Sequence, residues 1–135
     1  MALSGWLLDK SAAARSTDTR VGAQLSELAG SLYLCPISRL EHLYSARSAP
    51  DYDVLDAELR EAFQVAPAPP DVLDRALDLQ RDLAHHHGMW HRTPIPDLII
   101  ACTALHHGLG VVHVDRDFER IAEVRPLGVR RLSAS

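Results

Sequence analysis

The sequence predicts an α/β domain: three layers, with a central and roughly five-stranded parallel sheet between helices. Three observations predict it. Short apolar runs of strand type alternate with helix-like runs, which implies parallel pairing through right-handed crossovers. The run Gly110–Val114, GVVHV, is apolar almost throughout, as a strand covered on both faces should be. The segment 97–107, DLIIACTALHH, is apolar nearly all round and is therefore expected to be the most buried helix.

The elements follow in order. GWLL (5–8) is a first strand, ended by Asp9, and a helix is expected from Ser11 to Ala29 with Gly30 as its stop. SLYLCP (31–36) is a second strand. SRLEHLYSAR (38–47) is a helix opening on Ser38, and DYDVLDAELREAF (51–63) a polar helix with an acidic exposed face. QVAP (64–67) is a third strand, ended by a proline cluster. PDVLDRALDLQRDLAHHH (70–87) carries Val72, Leu73, Ala76, Leu77, Leu83 and Ala84 near helical spacing. A loop over 88–95 leads to Pro96, which suits the first turn of helix 97–107 because its missing N–H would be unpaired there. Gly108 ends that helix. The fourth strand (110–114), a short helix (118–124) and a fifth strand (128–133) complete the chain.

The 135 residues make one domain, 1–135, long enough to bury a real core. A net charge of -4 argues against a protein that coats nucleic acid by bulk charge. Lys10 is the one lysine; the other basic residues are arginines, so local basic patches stay open. Cys35 and Cys102 sit in apolar segments and read as buried thiols of a reducing compartment. MALSGWLLDK has no basic start and a short apolar run, unlike a secretory leader. No run approaches the ~18 apolar residues of a membrane span. The expectation is a cytoplasmic protein.

Chemistry concentrates in carboxylates. Asp9 follows the first strand and Asp115 the fourth, while Asp97 and Glu41 are expected in first turns of helices. Ligands of parallel α/β sheets bind beyond the carboxyl ends of strands, where strand order reverses. If the first and fourth strands are neighbours, Asp9 and Asp115 face one crevice, and helices entering from that rim bring Glu41 and Asp97. Like charges so close repel and raise pKa values, and a divalent cation removes the conflict. An all-oxygen donor set selects Mg²⁺ or Mn²⁺ over zinc. Each acid also has a plainer reading. Ser38–Glu41 has the form of a capping box, Asp97 suits a helix dipole, Asp9 suits a strand-end turn, and Asp117 suits the cap of helix 118–124.

WLLDKSAAAR, CPISRLEHLYSAR, HRTPIPDLIIACTALHHG and GVVHVDRDFERIA, in that order, resemble the PIN-domain ribonucleases, and within them the VapC-type toxins of toxin–antitoxin pairs. The resemblance covers essentially the whole chain. It implies a PIN-like fold and Mg²⁺- or Mn²⁺-dependent endoribonuclease activity on RNA. It places the acidic quartet on Asp9, Glu41, Asp97 and Asp115, with Asp117 as an accessory acid. It also implies a homodimer, a cognate VapB-type antitoxin and possible larger toxin–antitoxin assemblies. Two positions depart from the family pattern. Lys10 stands where a small hydroxyl residue is common, although Ser11 keeps the next hydroxyl, and His113 stands where Thr is common.

Arg92, Lys10, Ser11 and Arg116 are candidate substrate contacts, and Arg15 and Arg120 further residues of the rim. Trp90 could stack on a base, but packing of its loop onto the domain is the simpler expectation. HHHGMWH (85–91) lacks the partner spacing of a zinc site, and histidines at a helix end suit the dipole. Two rival functions fit part of the same pattern. A non-catalytic PIN-like module for RNA binding or complex assembly is favoured by Lys10, whose ammonium could take a cation's place. An aspartyl-phosphate enzyme with Asp9 as nucleophile would want a second Asp where Ser11 stands.

Overall fold

The computed structural model describes residues 3–13, 18–114 and 116–132. Five parallel strands form one sheet in the order β3-β2-β1-β4-β5. They are β1 (Trp6–Leu8), β2 (Leu32–Leu34), β3 (Gln64–Val65), β4 (Gly110–His113) and β5 (Val129–Arg131). The order reverses between β1 and β4, where Leu7 pairs with Val111 and Leu8 with Val112. The expected neighbourhood of the first and fourth strands is therefore present.

Alternation along these strands builds two cores. Leu7 and Val111 join one with Leu79, Leu83, Ile100 and Phe118. Leu8 and Val112 join the other with Ala12, Val21, Leu43 and Leu59. The first core is roofed by α5 (Val72–His86), α6 (Ile95–His107) and α7 (Asp117–Ile121). The second is covered by α1 (Lys10–Ala13), α2 (Thr19–Glu27), α3 (Pro36–Tyr44) and α4 (Ala49–Ala62). Helix α6 buries seven residues, more than any other described helix, and Gly108 ends it at φ 67°. Truncating its Ile100, fully buried, would cost about 2–5 kcal/mol. Gly110 permits the tight approach of β1 to β4: a Cβ there would lie 2.5 Å from the Trp6 ring.

Several boundaries differ from expectation, each for a local reason. The helix expected over 11–29 is not continuous: Asp18 is extended (φ -66°, ψ 128°) and caps α2, accepting from the N–H groups of Arg20 and Val21. Helix α3 begins at Pro36, because proline at the first helical position continues directly from the extended Cys35. The β3 ladder is short: its last bond is Ala66 N–H to Leu34 O, 2.9 Å, and the proline cluster 67–70 follows on the open edge. On α5 the buried residues are Ala76, Leu79 and Leu83, while Leu73 and Leu77 are exposed. Helix α7 opens on Asp117 itself. Cys35 and Cys102 are free and buried, as expected. No described helix is long and apolar enough to cross a membrane.

Candidate active site

Two acids are buried, one at the carboxyl end of a central strand and one in the first turn of α6. Asp9 follows β1 directly and is 4% exposed. Its N–H donates to Val112 O (3.0 Å), which fixes the residue against β4. Its Oδ2 accepts the Ser11 N–H at 3.0 Å, and its own C=O receives the N–H groups of Ala12 and Ala13. So the strand-end acid also starts α1. Asp97 lies in the first turn of α6 at 8% exposure, its N–H bonded to Pro94 O at 3.0 Å. Wholly apolar residues follow it, so the surrounding fold, rather than solvent, sets its environment.

Glu41 does not occupy the expected first turn. With α3 starting at Pro36, Glu41 falls in the second turn and the Ser38–Glu41 capping box does not form. Ser38 instead contacts Cys35, Oγ to Sγ 3.2 Å. The buried face of α3 carries Ser38 and Leu43, while Leu40 and Tyr44 are exposed. Glu41 itself turns inward. Its Oε1 is buried and has no hydrogen-bond partner among the described residues. Burial holds its carboxyl above the usual carboxylate range, the charge of Asp9 pushes it the same way, and Lys10 pulls against both. Glu41, Asp9 and Lys10 thus share one electrostatic neighbourhood across α3, β1 and α1.

A PIN domain family model matches residues 4–124. The chain belongs to the PIN domain family. It is similar to ribonuclease VapC17 of Mycobacterium tuberculosis (strain ATCC 25618 / H37Rv), with 56% identity over 127 residues and 92% of each chain covered. Ribonuclease VapC21 of the same strain is 43% identical over 121 residues, covering 88% of this chain and 87% of that protein. Among solved structures, the DNA-bound VapBC of Salmonella typhimurium matches with a TM-score of 0.75 at 18% identity, covering 96% of this chain and 98% of that one. A toxin–antitoxin complex from Klebsiella pneumoniae matches at 0.73 and 17% identity, covering 97% and 100%. At such identities these structures establish the shared fold.

In this PIN domain the remaining candidates fall as follows. Asp115 lies outside the described residues, as does Arg15. Among the described residues no three His, Cys, Asp or Glu side chains are grouped to hold a metal ion. Asp117 is not a helix cap: it is the first residue of α7, and Arg116 takes the cap position without a capping side-chain bond. Ser11 bridges to the other strand, its Oγ accepting the Val114 N–H at 3.2 Å. Lys10, Arg92 and Arg116 are exposed. Trp90 packs against the first core, as expected of its loop.

Two histidines of this PIN domain stand out. His42, next to Glu41, was not singled out by sequence; its Nε2 is buried and unpartnered among the described residues. Burial pushes its imidazole below the ordinary value, Asp9 pulls it up, and Lys10 adds to the lowering. The signal that could have found it is adjacency to Glu41 on an inward-turning helix. His113 is wholly buried, and neither ring nitrogen has a partner among the described residues. Its ring lies 5.7 Å from that of Phe118, so it packs as part of the core.

Proposed function

We propose that this chain is an endoribonuclease of the VapC type, the toxin of a toxin–antitoxin pair. It hydrolyses RNA phosphodiester bonds with Mg²⁺ or Mn²⁺ held by Asp9, Glu41, Asp97 and Asp115, and Asp117 assists. The carrying observation is Glu41 Oε1, a buried carboxylate oxygen without a partner among the described residues, pushed toward protonation by burial and by Asp9. A hard divalent cation fits that need, since it would satisfy the oxygen and offset the repulsion. The names of the similar ribonucleases support the same reading.

A bound divalent cation supplies water activation and neutralises charge growing on the phosphate. The chain's own residues supply the frame. The Ser11 N–H holds Asp9 Oδ2, and Ser11 Oγ holds the Val114 N–H immediately before Asp115. Lys10 stands at the rim as a contact for a substrate phosphate. Unstacked RNA suits a narrow acidic crevice, so single strands or loops are the expected substrate class.

Partners follow from two surfaces. A groove of about 350 Å³, lined by Leu40, Leu43, Tyr52, Phe63 and Val65 between α3, α4 and the edge strand β3, is assigned to the cognate VapB-type antitoxin. The VapBC complexes among the similar folds support such a partner. The exposed Leu73, Leu77 and Ile95 are assigned to a homodimer, from which larger toxin–antitoxin assemblies can grow. Asp74 and Arg81 flank Leu77 on α5 with opposite charge, a pair that a two-fold axis at Leu77 would bring face to face. An RNA substrate and free, buried thiols suit a cytoplasmic protein.

Lys10 favours one second reading, a non-catalytic PIN module for RNA binding or complex assembly, with the ammonium offsetting Glu41. Cleavage of total RNA by the purified chain, freed of any partner, separates the two. The expected result is Mn²⁺- or Mg²⁺-dependent cutting, lost by about 100-fold or more in Asp9→Asn. Absence of cutting with either metal, and no metal binding tighter than about millimolar, would leave the module.

A further inference from the structure

Three side chains from separate elements form a stack, or ledge, that the proposed hydrolytic site does not use. Trp90 sits in a short 3₁₀ turn (Trp90–Arg92) between α5 and α6. His87 lies against its ring with centroids 5.2 Å apart and planes 26° from parallel. Arg120 of α7 places Cζ 5.4 Å from the Trp90 ring centroid. The core anchors Trp90 from beneath, while His87 remains exposed. The chain links the stack to the acids: Asp97 lies in the first turn of α6, five positions after the 3₁₀ turn, and α7 begins just beyond the carboxyl end of β4.

Arginines among the described residues are of two kinds, those held by a carboxylate and those that are not. Arg75, Arg125, Arg130 and Arg131 are each matched by a carboxylate. Arg92, on the 3₁₀ turn, and Arg116, ahead of α7, are exposed and form no ion pair among the described residues. Arg20, Arg47 and Arg81 are likewise exposed and unpaired among the described residues, but only Arg92 and Arg116 lie on the segments that carry the Trp90 stack and lead to Asp97 and α7. The nearby carboxylate of Glu123 is engaged by His86, Nε2 to Oε1 3.4 Å.

We infer that this ledge binds the single-stranded RNA that leaves the crevice, with one nucleobase stacked on His87 and flanking phosphates on Arg92 and Arg116. The inference rests on the ribonuclease reading and adds the substrate's path to it. Aromatic surfaces accept any base by its π-face, and cations track the backbone. Stacking on His87 requires an unpaired base, so the ledge selects single strands over duplexes. Arg120 and Trp90 act by positioning: they hold the imidazole at a fixed tilt.

The test uses full-length Asp97→Asn protein, fluorescein-labelled ten-nucleotide RNA and a salt series. His87→Ala is expected to raise Kd about tenfold. Arg92→Ala and Arg116→Ala are each expected to weaken binding and to flatten the log Kd against log salt slope by about 0.7, one single-strand phosphate each. A duplex of the same sequence should bind more weakly and be indifferent to His87→Ala. Unchanged Kd and slope in all three variants overturns the ledge, as does equal dependence of duplex binding on His87. Those results leave metal-dependent cleavage by the wild-type chain standing. A wild-type chain that cuts RNA while its Asp97→Asn form binds none also overturns the ledge. A wild-type chain that neither cuts nor binds RNA overturns both.

Discussion

Ser11 Oγ accepts a hydrogen bond from the Val114 N–H at 3.2 Å, across 103 positions of sequence. This bond ties the first turn of α1 to Val114, the residue between β4 and Asp115. The same residue's N–H holds Asp9 Oδ2, so one serine braces both central strand ends. Ser11→Ala keeps the second bond and removes the first. We expect a loss of about 1–3 kcal/mol from the unpaired, half-buried N–H. The loss should appear in urea unfolding, with cleavage lowered through kcat more than KM. Wild-type stability in Ser11→Ala would show that solvent replaces the hydroxyl.

Glu41 provides a pH signature. Its folded pKa is raised, first by burial and then by Asp9. A raised carboxyl favours folding when protonated, and that contribution is lost as pH rises from the unfolded value through the folded one. In chelator at neutral pH, ionised Glu41 therefore opposes folding. Glu41→Gln should raise Tm at pH 7, and the gain should shrink toward zero near pH 4. Saturating Mn²⁺ should reverse the order, because only the wild type keeps the carboxylate ligand. A Tm difference that ignores both pH and Mn²⁺ would contradict this account.

Lys10 competes for the same carboxylate. It opposes the rise of the Glu41 pKa, so its ammonium favours the ionised form of Glu41. Being exposed, it is screened by solvent and its effect is modest. Lys10→Ser should tighten Mn²⁺ binding about three- to tenfold at low salt, with a smaller change at high salt. Isothermal titration at two ionic strengths reads both. Weaker binding in Lys10→Ser would mean that the ammonium supports the site.

The exposed leucines of α5 should govern assembly. Leu77 is 62% exposed beside Leu73 and Ile95. Leu77→Glu should turn a dimer into a monomer in light scattering while leaving Tm nearly unchanged, since surface substitutions usually shift stability by under about 0.5 kcal/mol. A variant that remains dimeric would move the interface elsewhere.

The sequence by itself determined the layer architecture, since βα alternation and the all-apolar segments of 97–107 and 110–114 leave few other ways to hide that surface. It also determined that Asp9 and Asp97 would stand at strand and helix ends, where the structure buries them. Only the tertiary structure decided that β1 and β4 are neighbours, because strand order depends on contacts between residues about a hundred positions apart. Helix phase was likewise decided late. Pro36 started α3 early, which moved Glu41 to the second turn, while the docking of α3 left Leu40 and Tyr44 exposed and brought His42 near Asp9. Periodicity on α5 could not tell Leu73 and Leu77 from Leu79 and Leu83, because both sets have helical spacing and only packing against α6 chooses the inward face. Local pattern sets which residues can be buried; the docking of elements sets which of them meet.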